Sequence, residues 1–207
     1  MTEPTGSPRA EPTSPARAEP LGPGAFVAVV GASGVGKDAL LSYARERSGD
    51  VARFPRRIIT RPPAPGEDHD PVSEQEFDGA RDRGAFAVSW AAHGLRYGIP
   101  AAADDEVRAG RAVVANVSRA VLDELARRYE QLVVVRVTVS EEVRAGRLRA
   151  RGREPEAAVG RRLARADPAP GHRVDAVIDN DGSLADAGDR LVHVIRTAAS
   201  RPSIASG

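Results

Sequence analysis

Cysteine is absent from the 207 residues, which rules out a disulfide framework and thiolate metal sites alike. No apolar run approaches the roughly 18 residues that a membrane span needs. The N-terminus lacks the continuous apolar core of a signal peptide. Neither sign of charge is in excess: 30 Lys and Arg stand against 29 Asp and Glu, for a formal net charge of +1. That balance argues against bulk attraction to nucleic acid or to a membrane. These absences fit one domain with tails in a reducing compartment, and the cytoplasm is the expected location. Lysine is the last scarcity. Lys37 is the only one, and every other cation among the thirty is arginine.

That lysine lies in the stretch around which the chain is organised. Ala25–Val30 is an apolar run, Gly31-Ala32-Ser33-Gly34-Val35-Gly36-Lys37-Asp38 a glycine-rich turn, and Ala39-Leu40-Leu41 the start of a helical pattern. The turn fits G-x-x-x-x-G-K-[ST] at every fixed place but the last, where Asp38 replaces Ser or Thr. Glycines let successive N–H groups converge on phosphate oxygens, and the following helix directs its positive end at the same anion. A slim ammonium threads such a loop where a planar guanidinium would not. The order strand, loop, helix therefore predicts a nucleoside triphosphate site, taken as the ATP site. Gly31, Ala32, Ser33, Gly34, Val35, Gly36 and Asp38 would surround the phosphates, with Lys37 as a catalytic cation on the β- and γ-phosphates.

Residues 1–23, with six prolines, read as a disordered leader. A helix should run from the P-loop to about Arg47. Arg57–Thr60 reads as a short strand, and Pro62-Pro63-Ala64-Pro65-Gly66 as irregular. Ser73-Glu74-Gln75-Glu76 is a capping box that opens a helix anchored by Phe77. Two short strands, Ala85–Ala91 and Leu95–Tyr97, are joined by a turn at His93-Gly94. Then come a strand at Val113–Ala115, a helix near Ser118–Tyr129 and a strand at Leu132–Val139, apolar apart from Arg136 and Thr138. Ser140 caps another helix leading into arginine-dense residues 147–162, with a helix over roughly Glu156–Ala166. A strand at Ala176–Ile178 and a helix at Leu184–Thr197 complete a domain over 24–198, and 199–207 read as a flexible tail. Strands alternating with helices after a P-loop predict a three-layer α/β fold on a parallel central sheet.

The P-loop says only that a nucleoside triphosphate binds; the acceptor must come from elsewhere. The order P-loop, Thr60-Arg61 with Gly66-Glu67, Tyr97-Gly98, Arg151-Gly152-Arg153-Glu154 and Asn180-Asp181 resembles guanylate kinase over residues 25–197. The resemblance implies an acceptor-binding region over about 57–100 and a lid over about 147–162. It also implies that Arg147, Arg151 and Arg162 clamp the transferring phosphoryl group, and it puts Asn180 on the nucleotide. The acceptor positions depart from that family. Guanine is read by carboxylates, yet Ser89, Asn116 and Ser118 stand where acidic residues are expected, Ala64 stands for a second arginine, and His69 for a phosphate-binding tyrosine. A site stripped of those groups discriminates against GMP.

The departures have a family of their own. G-x-S-G-x-G-K-D ending at Asp38, Arg57-Ile58-Ile59-Thr60-Arg61, Ser73-Glu74-Gln75-Glu76-Phe77, Ser89-Trp90-x-x-His93-Gly94-Leu95-x-Tyr97-Gly98, Asn116-x-Ser118-Arg119 and Asn180-Asp181-Gly182-Ser183-Leu184 resemble the ribose 1,5-bisphosphate phosphokinases. The resemblance implies transfer from ATP to ribose 1,5-bisphosphate, giving 5-phosphoribosyl 1-diphosphate and ADP, a step linked to phosphonate breakdown. An acceptor with two phosphates and a bare sugar wants arginines and small polar side chains. Arg57, Arg61, His69, Ser89, His93, Tyr97, Asn116, Ser118 and Arg119 supply them.

Asp38 offers a hard oxygen ligand in place of the usual hydroxyl, which makes it the candidate Mg²⁺ ligand. His172 and His193 are isolated and read as surface or structural, Trp90 as core, and Glu67, Asp68 and Asp70 as a solvated loop. Two rivals remain: a nucleoside monophosphate kinase, and a catalytically silent binding module of the same fold. The sequence leaves a homodimer open.

Overall fold

A computed structural model describes residues 19–63, 68–150 and 171–201. In chain order its elements are β1 Leu21–Val30, α1 Lys37–Ser48, β2 Ala52–Arg53, β3 Arg57–Ile59, β4 His69–Pro71, α2 Glu74–Asp82, β5 Phe86–Ala92 and β6 Leu95–Pro100. Then follow α3 Ala102–Arg108, β7 Ala112–Asn116, α4 Leu122–Arg128, β8 Tyr129–Thr138, α5 Glu141–Ala150, β9 Ala176–Asp179 and α6 Leu184–Ala199. None of the described helices is long and apolar enough to cross a membrane.

Five strands form the central sheet in the order β2-β7-β1-β8-β9, and every pairing is parallel. β1 lies in the middle and is buried on both faces, which is why Ala25–Val30 reads as continuous apolar sequence rather than as an alternation. Its odd residues, Ala25, Val27 and Val29, pack with Leu40 and Ala44 of α1 and with Leu191 and Ile195 of α6. Its even residues, Phe26, Ala28 and Val30, face α3, α4 and the second sheet. Burying both faces gives the predicted three layers. Helices α1 and α6 approach so closely that a side chain at Gly188 would lie 2.3 Å from the Tyr43 ring.

The second sheet has the order β4-β3-β6-β5 and is mostly antiparallel. It occupies the region expected to bind the acceptor. The Ser73–Glu76 capping box forms as predicted and starts α2, whose buried Phe77 stacks on Phe86 at 4.6 Å. Thr60 locks β3 to β6, donating its N–H to Arg96 O and accepting the Arg96 N–H at Oγ1, 2.9 Å.

Several expectations shift. Leu21–Pro23, assigned to the leader, already belong to β1, where Leu21 pairs with Tyr129. The helix expected to reach Tyr129 stops at Arg128, because Tyr129 turns inward as the first residue of β8. Its ring stacks on Phe26 at 4.8 Å and its hydroxyl donates to Asp104 Oδ1 at 2.8 Å. Three elements, β2, β4 and α3, carry no periodic signal in the sequence. The helix expected over 156–166, and most of the lid, lie outside the described residues.

Candidate active site

The P-loop joins the C-terminal end of β1 to α1. Gly31 has φ +154° and a Cβ there would sit 2.6 Å from Val137 O; Gly36 has φ +91° and a Cβ there would sit 2.5 Å from Asn180 Nδ2. Only glycine fits both the backbone angle and the space at these two places. Neighbouring elements then fix the loop from outside. Asn180, buried just after β9, donates Nδ2 to Val35 O at 2.7 Å. From α5, Arg144 donates Nε to Ser33 O at 3.0 Å, and Arg147 donates to Val35 O at 3.4 Å and Asn180 O at 2.9 Å. The loop's carbonyls are thereby tied back, which leaves its N–H groups to turn towards an anion.

Lys37 donates Nζ to Gly31 O at 2.7 Å and Ala32 O at 2.9 Å. Burial pushes its pKa down to about 8. Asp38 acts against that shift, while Arg57, Arg119 and Arg144 add to it. Three guanidiniums and one carboxylate thus act on the ammonium, a field that suits densely anionic ligands.

Asp38 is already engaged. Its Oδ1 accepts from Arg57 Nη2 at 3.0 Å and from Asn116 Nδ2 at 3.1 Å. Arg57 comes from β3, Asn116 from the C-terminal end of β7 and Asp38 from the first turn of α1, so one carboxylate ties the P-loop to both segments expected to hold the acceptor. The three side chains line a cleft of about 290 Å³, together with Leu41, Ser42 and Phe54.

No family model matches the chain. Curated relatives do. The chain is 74% identical to the ribose 1,5-bisphosphate phosphokinase PhnN of Pseudofrankia inefficax over 180 residues, covering 87% of this chain and 95% of that one. It is 50% identical to the protein of that name from a Chelativorans species, covering 85% and 87% of the two chains. The chain belongs to the ribose 1,5-bisphosphate phosphokinase family. It is also 44% identical to the bifunctional ribose 1,5-bisphosphokinase-thymidine phosphorylase of Cupriavidus necator, in which it covers 87% of this chain but 31% of that one. Among solved structures, the guanylate kinase of Anaplasma phagocytophilum superposes with a TM-score of 0.61 at 17% identity over 87% of this chain and 89% of that one. That likeness concerns the fold.

For a member of this phosphokinase family, the remaining expected residues fall into three groups. Ser89 and Tyr97 are half-buried on the second sheet, Tyr97 stacked parallel on Trp90 at 5.4 Å; Arg61 is half-buried in the bend after β3, while His93 is exposed at the β5–β6 turn with φ 56°. Arg119 is half-buried in a 3₁₀ turn, Arg119–Val121, just after β7. Two side chains have structural partners. His69, expected at the substrate, is 1% exposed in β4, and its Nε2 meets Arg61 O at 3.0 Å, so it supports the arginine segment from behind. Ser118 accepts the Ala120 N–H at 3.3 Å and so caps the turn. Arg151, Arg162 and Ala64 lie outside the described residues. Trp90 packs against the core as expected, and His172 meets Asp123 at 3.3 Å. Asp68, expected as solvated loop, pairs with Arg45 at 2.6 Å and Arg56 at 2.8 Å. Sequence reasoning missed Arg144. Its spacing of three from Arg147 on one helix is the signal that would have found it.

Proposed function

We propose that the protein phosphorylates ribose 1,5-bisphosphate with ATP, giving 5-phospho-α-D-ribose 1-diphosphate and ADP. The observation that carries this reading is the junction at Asp38, whose Oδ1 joins the phosphate loop to Arg57 and Asn116 in one cleft, so that a guanidinium and an amide stand there where a guanine-reading site has carboxylates. The sites where a guanine-reading enzyme needs acids hold Ser89, Asn116 and Ser118. Identity of 74% to a protein named for this reaction supports the same acceptor. The reading keeps the enzyme in the cytoplasm, with its ATP supply.

In the proposed reaction an ionised oxygen of the acceptor's 1-phosphate attacks the γ-phosphorus in line. The bond from that phosphorus to the β–γ bridging oxygen breaks, and ADP leaves with the electron pair. No proton need move, because the attacking phosphate is already ionised. Positioning and charge neutralisation supply the catalysis. Lys37 and Arg147 act on the donor phosphates, together with Arg151 and Arg162. Arg57 and Arg61 grip the reacting phosphate, and Asn116 and Ser118 bond the ribose hydroxyls, with Ser89, His93 and Tyr97 along the second sheet. Asp38 is the carboxylate fit to hold Mg²⁺ beside the loop, where the ion would neutralise phosphate charge.

The test is ADP release with ATP and Mg²⁺ in the presence of ribose 1,5-bisphosphate, GMP or no acceptor. Turnover with the bisphosphate alone is expected. Turnover with GMP would return the chain to the nucleotide kinases, and inactivity with both would favour the silent module.

A further inference from the structure

Asp68 reads in the sequence as one acid of a solvated loop, yet the fold sets it in the cleft that holds Asp38, Arg57 and Asn116. β4 pairs in parallel with β3 and puts His69 opposite Arg57, so Asp68 arrives beside the arginine expected to grip the reacting phosphate. Two guanidiniums from different elements then fix its carboxylate. Arg45, from the last turn of α1, donates Nη1 to Oδ2 at 2.6 Å, and Arg56, just before β3, meets Oδ1 through Nε at 2.8 Å. Each arginine is held in turn. Arg45 lies over the Phe54 ring, 5.8 Å from its centre, and Arg56 donates to His69 O at 3.2 Å and pairs with Asp70 at 3.1 Å. All three side chains are about half exposed, and ion pairs so open to water add little stability. What the frame does fix is the direction of the carboxylate's remaining lone pairs. An ionised carboxylate has about four acceptor sites and no donor, and each Asp68 oxygen has given one to an arginine. The hydrogen bond from Arg45 holds the Asp68 pKa below the ordinary carboxylate value, so the group stays charged and accepting at neutral pH. The same arginines offset its charge, which lets a carboxylate stand close to a bisphosphate. Asp38, the cleft's other carboxylate, is already committed to Arg57 and Asn116.

We infer that Asp68 accepts the proton of the acceptor's 2-hydroxyl, with Arg45 and Arg56 as the residues that position it, and that this contact selects ribose over 2-deoxyribose. The assignment rests on the acceptor proposed above. The 2-hydroxyl is the one beside the 1-phosphate, as Asp68 is beside Arg57. A hydroxyl both gives and takes a hydrogen bond, so Asp68 complements the donors Asn116 and Ser118 rather than replacing them. A site built to bond a hydroxyl rejects the analogue that lacks it.

The deciding assay runs the full-length enzyme and its Asp68→Ala and Asp68→Asn variants on ribose 1,5-bisphosphate and on 2-deoxyribose 1,5-bisphosphate. Wild type should favour the ribose form by roughly 10- to 100-fold in kcat/KM, the worth of a hydrogen bond to a charged group. Asp68→Ala should lose most of that preference, because only the ribose form has this contact to lose. Asp68→Asn keeps an acceptor oxygen without the charge and should fall between the two. A wild type that uses both forms alike, or variants that slow both forms equally, would overturn the assignment and leave the acceptor reading standing. A wild type inert on the bisphosphate would overturn that reading, and the assignment with it. Thermal melting guards against a purely structural role. Tm of both variants should stay close to that of wild type, and a collapse of Tm in both would make Asp68 a structural support and end the proposal.

Discussion

The donor and acceptor sides of this site are built from different materials. On the donor side, glycine angles fix the loop, and its outward carbonyls are held by Asn180, Arg144 and Arg147. In the proposed reaction the donor phosphates meet backbone N–H groups and Lys37, so the chemistry follows largely from conformation. On the acceptor side, side chains face one another across segments distant in sequence, and Asp38 joins Arg57 to Asn116 through one oxygen. A conformational site tolerates little change and serves any nucleoside triphosphate. A side-chain site can be rewritten residue by residue, which is how one fold passes from nucleotide acceptors to a sugar bisphosphate.

Breaking the donor side should give the largest effect. Lys37→Ala removes the only cation threaded through the loop, and kcat/KM should fall on the order of 10³-fold in steady-state assays. Circular dichroism should show an unchanged fold. Lys37→Arg should fare little better, because the planar guanidinium does not fit the space the ammonium occupies. Recovery of activity in the arginine variant would contradict this account of the loop.

Next in size is the acceptor side. Arg57→Met should raise KM for the acceptor by roughly 10- to 100-fold, the loss of a charged hydrogen bond or two, with a much smaller change for ATP. Asp38→Asn should shift the Mg²⁺ titration to higher concentration, and an unmoved titration would remove Asp38 from the metal. The double variant tests the bridge itself. A coupling of about 1–2 kcal/mol between the two substitutions is expected from residues that share a hydrogen bond, and additivity would mean the bridge is idle.

The same division explains what the sequence made legible. Gly31, Gly36 and Lys37 act through local spacing, so a linear motif suffices to place them. The partnership of Asp38 with Arg57 and Asn116 depends on bringing α1, β3 and β7 together, and nothing local announces it. His69 is buried by tertiary packing and Ser118 caps a turn, and neither partnership is announced by the residue's own chemistry. β4 follows a proline-rich run, and α3 is a helix of only 7 residues after Pro100. Neither has a periodic apolar face for a sequence reading to find.

A smaller effect separates the sides by pH. The folded pKa of Lys37, about 8, lies below its ordinary 10.5. Between those values the unfolded chain binds more protons, so this residue makes the empty protein gain stability as pH rises from 8 to 10.5. Bound phosphate needs the charged ammonium and should reverse the shift. Nucleotide binding near pH 8 should therefore take up a fraction of a proton, seen by titration calorimetry in buffers of different ionisation enthalpy. Acceptor binding gripped by arginines should show no such uptake at that pH, and uptake by both ligands would erase the contrast.

The smallest expected effect falls on Ser118, where scaffold and acceptor overlap. Its Oγ accepts the Ala120 N–H and keeps one proton to donate. Ser118→Ala should cost about 1 kcal/mol for the lost cap, a fall in Tm of about 2–4 °C for a chain of this size. If the hydroxyl also donates to the ribose, KM for the acceptor should rise about two- to tenfold, the worth of one neutral hydrogen bond. A lower Tm with an unmoved KM would assign Ser118 to the scaffold alone and leave Asn116 as the ribose contact on that strand. A raised KM with an unmoved Tm would mean the cap contributes nothing and the serine is there for the sugar.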